Sequence, residues 1–148
     1  MQAYVVGFMF SQYLDRVALI RKQKPAWQAG LLNGVGGKIE AGEGALAAMV
    51  REFSEEAGVA TTEGQWSHFC TMIGGNNDDG GGFLIEFFTT VDDLMLLSSN
   101  EAERIELTRT SDAFPNNKNM IENLPWLIAM AVDHMKDGRP KFATVQYP

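Results

Sequence analysis

The sequence has little of several features that mark specialised classes of protein. Cys70 is the only cysteine in 148 residues, which excludes an intramolecular disulfide and a cysteine-based metal site. No apolar run approaches the roughly 18 residues of a membrane-spanning helix. The apolar stretch 3–10 lacks the basic start of a signal peptide, so it predicts a first strand instead. We therefore expect a cytoplasmic protein without a membrane partner.

Basic residues are also scarce. The chain has 12 Lys and Arg against 19 Asp and Glu, a net charge of −7. Long nucleic acid needs a basic surface, so we expect no such partner. A small phosphorylated ligand stays open, because a divalent cation bridges carboxylates to phosphate. The length predicts one domain over residues 1–148. The oligomeric state stays open between a monomer and a homodimer.

The hydrophobic pattern predicts strands mixed with two helices. Apolar residues at i, i+3, i+4 and i+7 indicate a helix over 44–57, with Gly58 as its stop. A second helix is predicted over 119–135, with an irregularity at Pro125. Strands are predicted at 3–10, 16–21, 37–39, 65–73, 82–91, 103–109 and 141–147. Such a mixture is typical of an α+β fold or an α/β/α sandwich.

Three carboxylates share one face of the first predicted helix. At 100° per residue, Glu52, Glu55 and Glu56 fall within an arc about 100° wide. Like charges this close destabilise a helix. Arg51, four residues before Glu55, can neutralise one of them, and a cation would neutralise the others. Oxygen ligands favour Mg²⁺ or Mn²⁺. A solvated acidic face is the alternative that the cluster alone leaves open.

The loop before this helix adds a second signal. Gly36 and Gly37 allow the backbone to approach a ligand, because no Cβ intrudes. Glu43 opens the helix, where the helix dipole favours an acid. Nine residues match the pattern G-x5-E-x7-R-E-U-x-E-E-x-G-U, where U is bulky and apolar: Gly37, Glu43, Arg51, Glu52, Phe53, Glu55, Glu56, Gly58 and Val59. The segment 37–59 therefore resembles the Nudix box, and the remaining elements resemble the order of that family's α/β/α sandwich with a mixed central sheet.

The resemblance implies hydrolysis of a nucleoside diphosphate linked to another group, assisted by Mg²⁺ or Mn²⁺. By position, the implied metal ligands are the carbonyl of Gly37 and the carboxylates of Glu52, Glu55 and Glu56. The family also implies an acidic ligand from a later loop, for which Glu101 is the first choice and Glu103 the second. Surface charge is the alternative for both of these residues.

Catalytic roles follow from the same resemblance. Glu52 is implied to orient or deprotonate the attacking water, with a carboxylate elsewhere as the alternative. Arg51 is implied to hold a carboxylate in place, with Glu55 as its partner. The basic residues Arg21, Lys22 and Lys24 are interpreted as a solvated strand end, with contact to substrate phosphates as the alternative.

Residues outside the box are expected to select the substrate. The segment 32–38 resembles a loop of the MutT-like oxidised-purine nucleoside triphosphatases, and 114–117 resembles their Trp-Pro-Asp-Asp. The implied substrate-binding residues are Trp27, Asn33, Lys38, Phe114, Asn116, Asn117 and Asn119. Asparagines replace the aspartates here, which changes the donor pattern. A nucleobase pocket is implied without fixing the base. Core packing and turn formation are the alternatives.

Three functions are consistent with this sequence. The leading hypothesis is a Mg²⁺-dependent hydrolase that converts a nucleoside triphosphate, oxidised or non-standard purines included, to nucleoside monophosphate and pyrophosphate. The second keeps the reaction but acts on ADP-ribose, a nucleotide sugar or a dinucleoside polyphosphate. The third is a non-catalytic nucleotide-binding regulator, which the retained carboxylates disfavour.

Overall fold

The computed structural model describes residues 1–75, 81–100, 102–114, 117–138 and 140–147. Its α-helices are α1 (Ala45–Ala57) and α2 (Leu124–Met135). Its strands are β1 (Gln2–Phe10), β2 (Arg16–Arg21), β3 (Leu32–Asn33), β4 (Val35–Lys38), β5 (Ser67–Gly74), β6 (Phe83–Val91), β7 (Arg104–Arg109) and β8 (Ala143–Tyr147). Among the described residues, no helix has the length and apolar character needed to cross a membrane.

The strands form one mixed sheet around β1. Along one edge, β1 pairs in parallel with β6 over its whole length. Along the other edge it pairs antiparallel first with β4 and then with β2. The sheet continues from β6 to β5 and β8 on one side, and from β2 to β7 on the other. This pairing places β4 beside the centre of the sheet.

Each face of the sheet carries one α-helix over a separate apolar core. Alternate β1 residues such as Val5 and Met9 pack in the same core as Phe53 of α1. The intervening residues, Phe8 among them, pack in the same core as Leu127 of α2. Period-2 alternation along a strand explains this division. The layers confirm the predicted α/β/α sandwich with a mixed central sheet.

Two predicted elements differ from the structure. The strand expected at 37–39 is β4, which ends at Lys38 and is preceded by the short β3. The second helix begins at Leu124 rather than at 119, because Pro125 occupies the first turn, where its missing N–H costs no helical hydrogen bond. Met120, four residues before the helix, instead forms an isolated β-bridge with Leu32. The first helix ends as predicted at Gly58, which has a left-handed φ of 71°.

Phe53 provides a test of how α1 is held against the sheet. Its side chain is fully buried, and its ring centroid lies 5.1 Å from that of Trp66 in an edge-to-face contact. We predict that Phe53→Ala lowers the free energy of unfolding by about 3–5 kcal/mol, through lost transfer free energy and a cavity. Urea denaturation measures the change. Met95→Ala, at a side chain that is 83% exposed, is the control and should change stability by less than about 0.5 kcal/mol.

Candidate active site

Two glycines of β4 lie directly against two carboxylates of α1. A Cβ placed on Gly37 would lie 2.4 Å from the carboxyl carbon of Glu52. The backbone amide of Gly36 donates a hydrogen bond to Oε2 of Glu56 at 3.3 Å. The glycines therefore bring peptide groups into contact with acidic side chains, an approach that any larger residue at position 37 would block.

Arg51 contacts three acidic residues of the box. Its Nε and Nη2 donate to the two carboxylate oxygens of Glu43 at 2.8 and 2.9 Å. Its Nη1 donates to Glu52 at 2.7 Å and reaches Glu55 at 3.5 Å, and Nη2 also donates to the carbonyl of Lys38 at 3.0 Å. The hydrogen bond from Arg51 is the main reason why the pKa of Glu43 falls to about 2. Arg51 thus links the start of α1, its third turn and the end of β4.

Glu56 is the residue of the site whose carboxyl group is most strongly affected by burial. The pKa of Glu56 is raised to about 7, mainly by burial and in addition by the nearby carboxylates of Glu52 and Glu103. The Lys22 ammonium and the Gly36 amide act in the opposite direction. Carboxylates from α1 and from the start of β7 therefore share one electrostatic environment.

Glu103 is distant from the box in sequence but lies near its carboxylates in the fold. Its side chain is buried and accepts hydrogen bonds from the Gln23 amide at 2.6 Å and from Lys22 Nζ at 3.3 Å. The side chain of Lys22 is only 16% exposed. The interpretation of Lys22 as part of a solvated strand end is therefore wrong, because the return of the chain at β7 covers it. A basic residue next to a buried strand was the only sequence signal for this contact.

The donor set matches a hard divalent cation in its chemistry. Every side-chain donor is a carboxylate oxygen, and the space beside Gly37 that a Cβ would fill admits Glu52. Within the described ranges, no three His, Cys, Asp or Glu side chains form a ready coordination shell. Glu52 is engaged by Arg51, and Glu55 is 59% exposed. Glu101, the first choice for the additional ligand, lies outside the described residues.

Asn33 and Asn119 lie on neighbouring segments. Asn33 ends β3, where its Oδ1 accepts from the Gly34 amide at 2.7 Å and its Nδ2 donates to Gln28 at 3.4 Å. The carbonyl of Asn119 accepts from the Leu32 amide at 2.8 Å. The backbone thus brings together two of the residues expected to contact a base, although they are far apart in sequence.

The other expected substrate-binding residues are more scattered. Asn117 forms a turn, because its Oδ1 accepts from the Asn119 amide and its Nδ2 donates to the Asp112 carbonyl. Trp27 and Phe114 are 67% and 43% exposed, so neither fills the core. Lys38 is exposed at the end of β4. Asn116 lies outside the described residues.

An open cleft of about 590 Å³ lies beside β7. Leu32 and Asn117 line it together with Asp112 and side chains of β7. Trp27, Asn33 and Phe114 are not among its lining residues. Of the expected base-binding residues, Asn117 therefore lines this cleft, and the joint base pocket stays a prediction.

Comparisons with solved structures support the fold. The MutT protein from Bacillus halodurans superimposes with a TM-score of 0.68 at 18% identity, over 99% of this chain and 90% of that one. The NUDIX domain of Shewanella oneidensis NrtR, solved with ADP ribose, gives 0.73 at 16% identity over 90% and 88%. A NUDIX family hydrolase from Clostridium perfringens gives 0.63 at 19% identity over 90% and 97%. No curated protein sequence matches the chain.

A family comparison agrees with the box and its geometry. The model of the NUDIX domain matches residues 2–127, which include every helix and strand from β1 to β7 and the start of α2. The match extends far beyond the box that carries the sequence resemblance. The chain belongs to the Nudix family and is a pyrophosphohydrolase.

Proposed function

We propose that this enzyme hydrolyses a nucleoside triphosphate to nucleoside monophosphate and pyrophosphate, with Mg²⁺ or Mn²⁺ as cofactor. The main support is the contact of Glu52 and Glu56 with the backbone of Gly36 and Gly37. This contact brings carboxylate oxygens and peptide groups together, and both are ligands suited to such a cation. The residues that would hold the cation are Gly37 through its carbonyl, Glu52, Glu55 and Glu56, with Glu101 or Glu103 in addition.

Each residue of the site has a distinct part in the proposed reaction. The bound cation supplies charge neutralisation at the phosphate oxygens and a lower pKa of the attacking water. Glu52 orients this water, and Arg51 fixes the Glu52 carboxylate through a 2.7 Å hydrogen bond. Glu43 in turn fixes Arg51 through two hydrogen bonds. This chain of contacts limits the conformations of Glu52, which lowers the entropic cost of reaching the reactive geometry.

The substrate preference is proposed from the residues beside β3. Asn33 and Asn119 present amide donors and acceptors suited to base edges, and the exposed rings of Trp27 and Phe114 offer stacking faces. ADP-ribose is the second candidate, since a structurally similar domain was solved with ADP ribose.

A panel of nucleotides incubated with Mg²⁺ distinguishes these candidates. Product identification by chromatography should give nucleoside monophosphate and pyrophosphate from a triphosphate. Preferential release of AMP and ribose 5-phosphate from ADP-ribose would favour the second candidate. Binding of nucleotides without turnover of any of them would instead indicate a regulator.

Glu56 tests the dependence on a cation. We predict that Glu56→Gln lowers kcat at least about 100-fold, because several kcal/mol of transition-state stabilisation are lost with the cation. Glu55→Gln should act in the same direction. Glu122→Gln, at an exposed position in another part of the chain, is the matched control and should retain activity. Full wild-type activity in excess EDTA would refute the requirement for a cation.

Gly36 and Gly37 give a paired test of the backbone approach. We predict that Gly37→Ala keeps the fold but lowers kcat strongly, because its Cβ displaces the flexible Glu52 side chain. Gly36→Ala should instead destabilise the protein, since its Cβ would lie 1.9 Å from the backbone oxygen of Val5. Urea unfolding and kcat are measured on both. Equal stability losses in the two variants would contradict this assignment.

Arg51 tests whether a residue that positions carboxylates acts on turnover. We predict that Arg51→Ala reduces kcat more than it raises KM, because Arg51 contacts Glu43 and Glu52 rather than substrate. Arg51→Lys should recover little, since an ammonium cannot make the bidentate contact to Glu43. A large rise in KM with unchanged kcat would place Arg51 on the substrate.

Base selection is tested by Asn33→Ala and Phe114→Ala. We predict that each variant changes the ratio of kcat/KM between oxidised and normal purine triphosphates. An unmet hydrogen bond at Asn33 is worth about 1–3 kcal/mol. Phe142→Ala, which removes another exposed aromatic ring, is the control. If both test variants keep the wild-type ratio and rate, the base is bound elsewhere.

A further inference from the structure

Lys22 is a largely buried basic residue that pairs with an acidic residue near the site. Its Nζ lies 3.3 Å from Oε1 of Glu103, and both side chains are largely shielded from water. The Lys22 charge also acts on Glu56, as do the charges of Glu52 and Glu103. Arg51, the other basic residue of the site, is paired with Glu52. A positive charge of the protein therefore acts on Glu56 and Glu103, two carboxylates that the proposed function assigns to a divalent cation.

Lys22 can break its contact with Glu103 without displacing the Glu103 side chain. Glu103 is anchored independently, because its Oε2 accepts the Gln23 amide at 2.6 Å. The adjacent pair of Arg21 and Glu106 is different, since two hydrogen bonds at 2.7 and 2.9 Å hold it. An ammonium on a flexible four-carbon stem makes a single movable contact, whereas a guanidinium fork does not. Glu103 can thus keep its place while Lys22 moves.

We propose that Lys22 is a positioning residue that competes with the divalent cation for the carboxylates of Glu56 and Glu103. The inference rests on the proposed function and deepens it, because it identifies what sets the affinity of the site for the cation. Repulsion between the Lys22 ammonium and an entering cation weakens binding until the ammonium moves away. In return, Lys22 limits the repulsion among the carboxylates and stabilises the fold around them.

The test is a Mn²⁺ titration of the full chain without nucleotide, followed by electron paramagnetic resonance of free Mn²⁺. We expect Lys22→Gln and Lys22→Met to bind Mn²⁺ about tenfold more tightly than the wild type. Lys22→Arg keeps the charge and should not tighten binding. Lys24→Gln removes an exposed charge two residues away and is the matched control. Lys22→Gln retains a donor for Glu103, so it decides the question if Lys22→Met fails to fold.

Glu56→Gln identifies the site at which Mn²⁺ binds. If the wild type binds Mn²⁺ no better than Glu56→Gln does, both the cation site of the proposed function and the role of Lys22 are wrong. If the wild type binds Mn²⁺ at this site but Lys22→Gln binds it equally or more weakly, only the role of Lys22 is overturned. Tightening by Lys22→Arg as large as that by Lys22→Gln would also overturn it, because charge would not be the cause.

Discussion

The backbone of β4 passes so close to β1 and to α1 that no side chain fits between them. At Gly36 the limit is a carbonyl of β1, and at Gly37 it is the carboxylate of Glu52. Apolar packing holds α1 beside this approach, since the buried residues of the helix share a core with β1 and β4. At Gly37 the neighbouring group is the end of a flexible side chain, so this contact determines where the Glu52 carboxylate lies rather than where the helix lies.

Two basic residues balance the acidic groups that this packing brings together. Arg51 comes from the same helix and makes several short hydrogen bonds to Glu43 and Glu52. Lys22 comes from the end of β2 and makes one longer contact with Glu103. A buried carboxylate without a partner is costly. Arg51 therefore orients the carboxylates of Glu43 and Glu52, whereas Lys22 is a counter-charge that a metal ion can replace.

Much of the fold followed from patterns that are local in sequence. The apolar stripe of α1 and the stop at Gly58 needed only helical periodicity and glycine conformation. The start of α2 was misplaced by five residues, because the apolar pattern continues through 119–123 while the chain there bridges to β3. In the substrate region, local resemblance predicts a base pocket formed by Asn33, Phe114 and one of Asn116, Asn117 or Asn119, which stays a prediction. The side chain of Asn117 makes the hydrogen bonds of a turn, which was the alternative interpretation of this segment.

The sequence by itself determined the identity of the box, because its nine residues lie within one loop and one helix at fixed spacing. It also determined that Glu52 and Glu56 share a helix face, since helical geometry is local. Only the tertiary structure decided that Glu52 is held by Arg51 while Glu55 faces solvent. It alone joined Lys22 to Glu103 across 81 residues. Such a contact depends on the pairing of β2 with β7, and no local pattern encodes which distant strands become neighbours in the sheet.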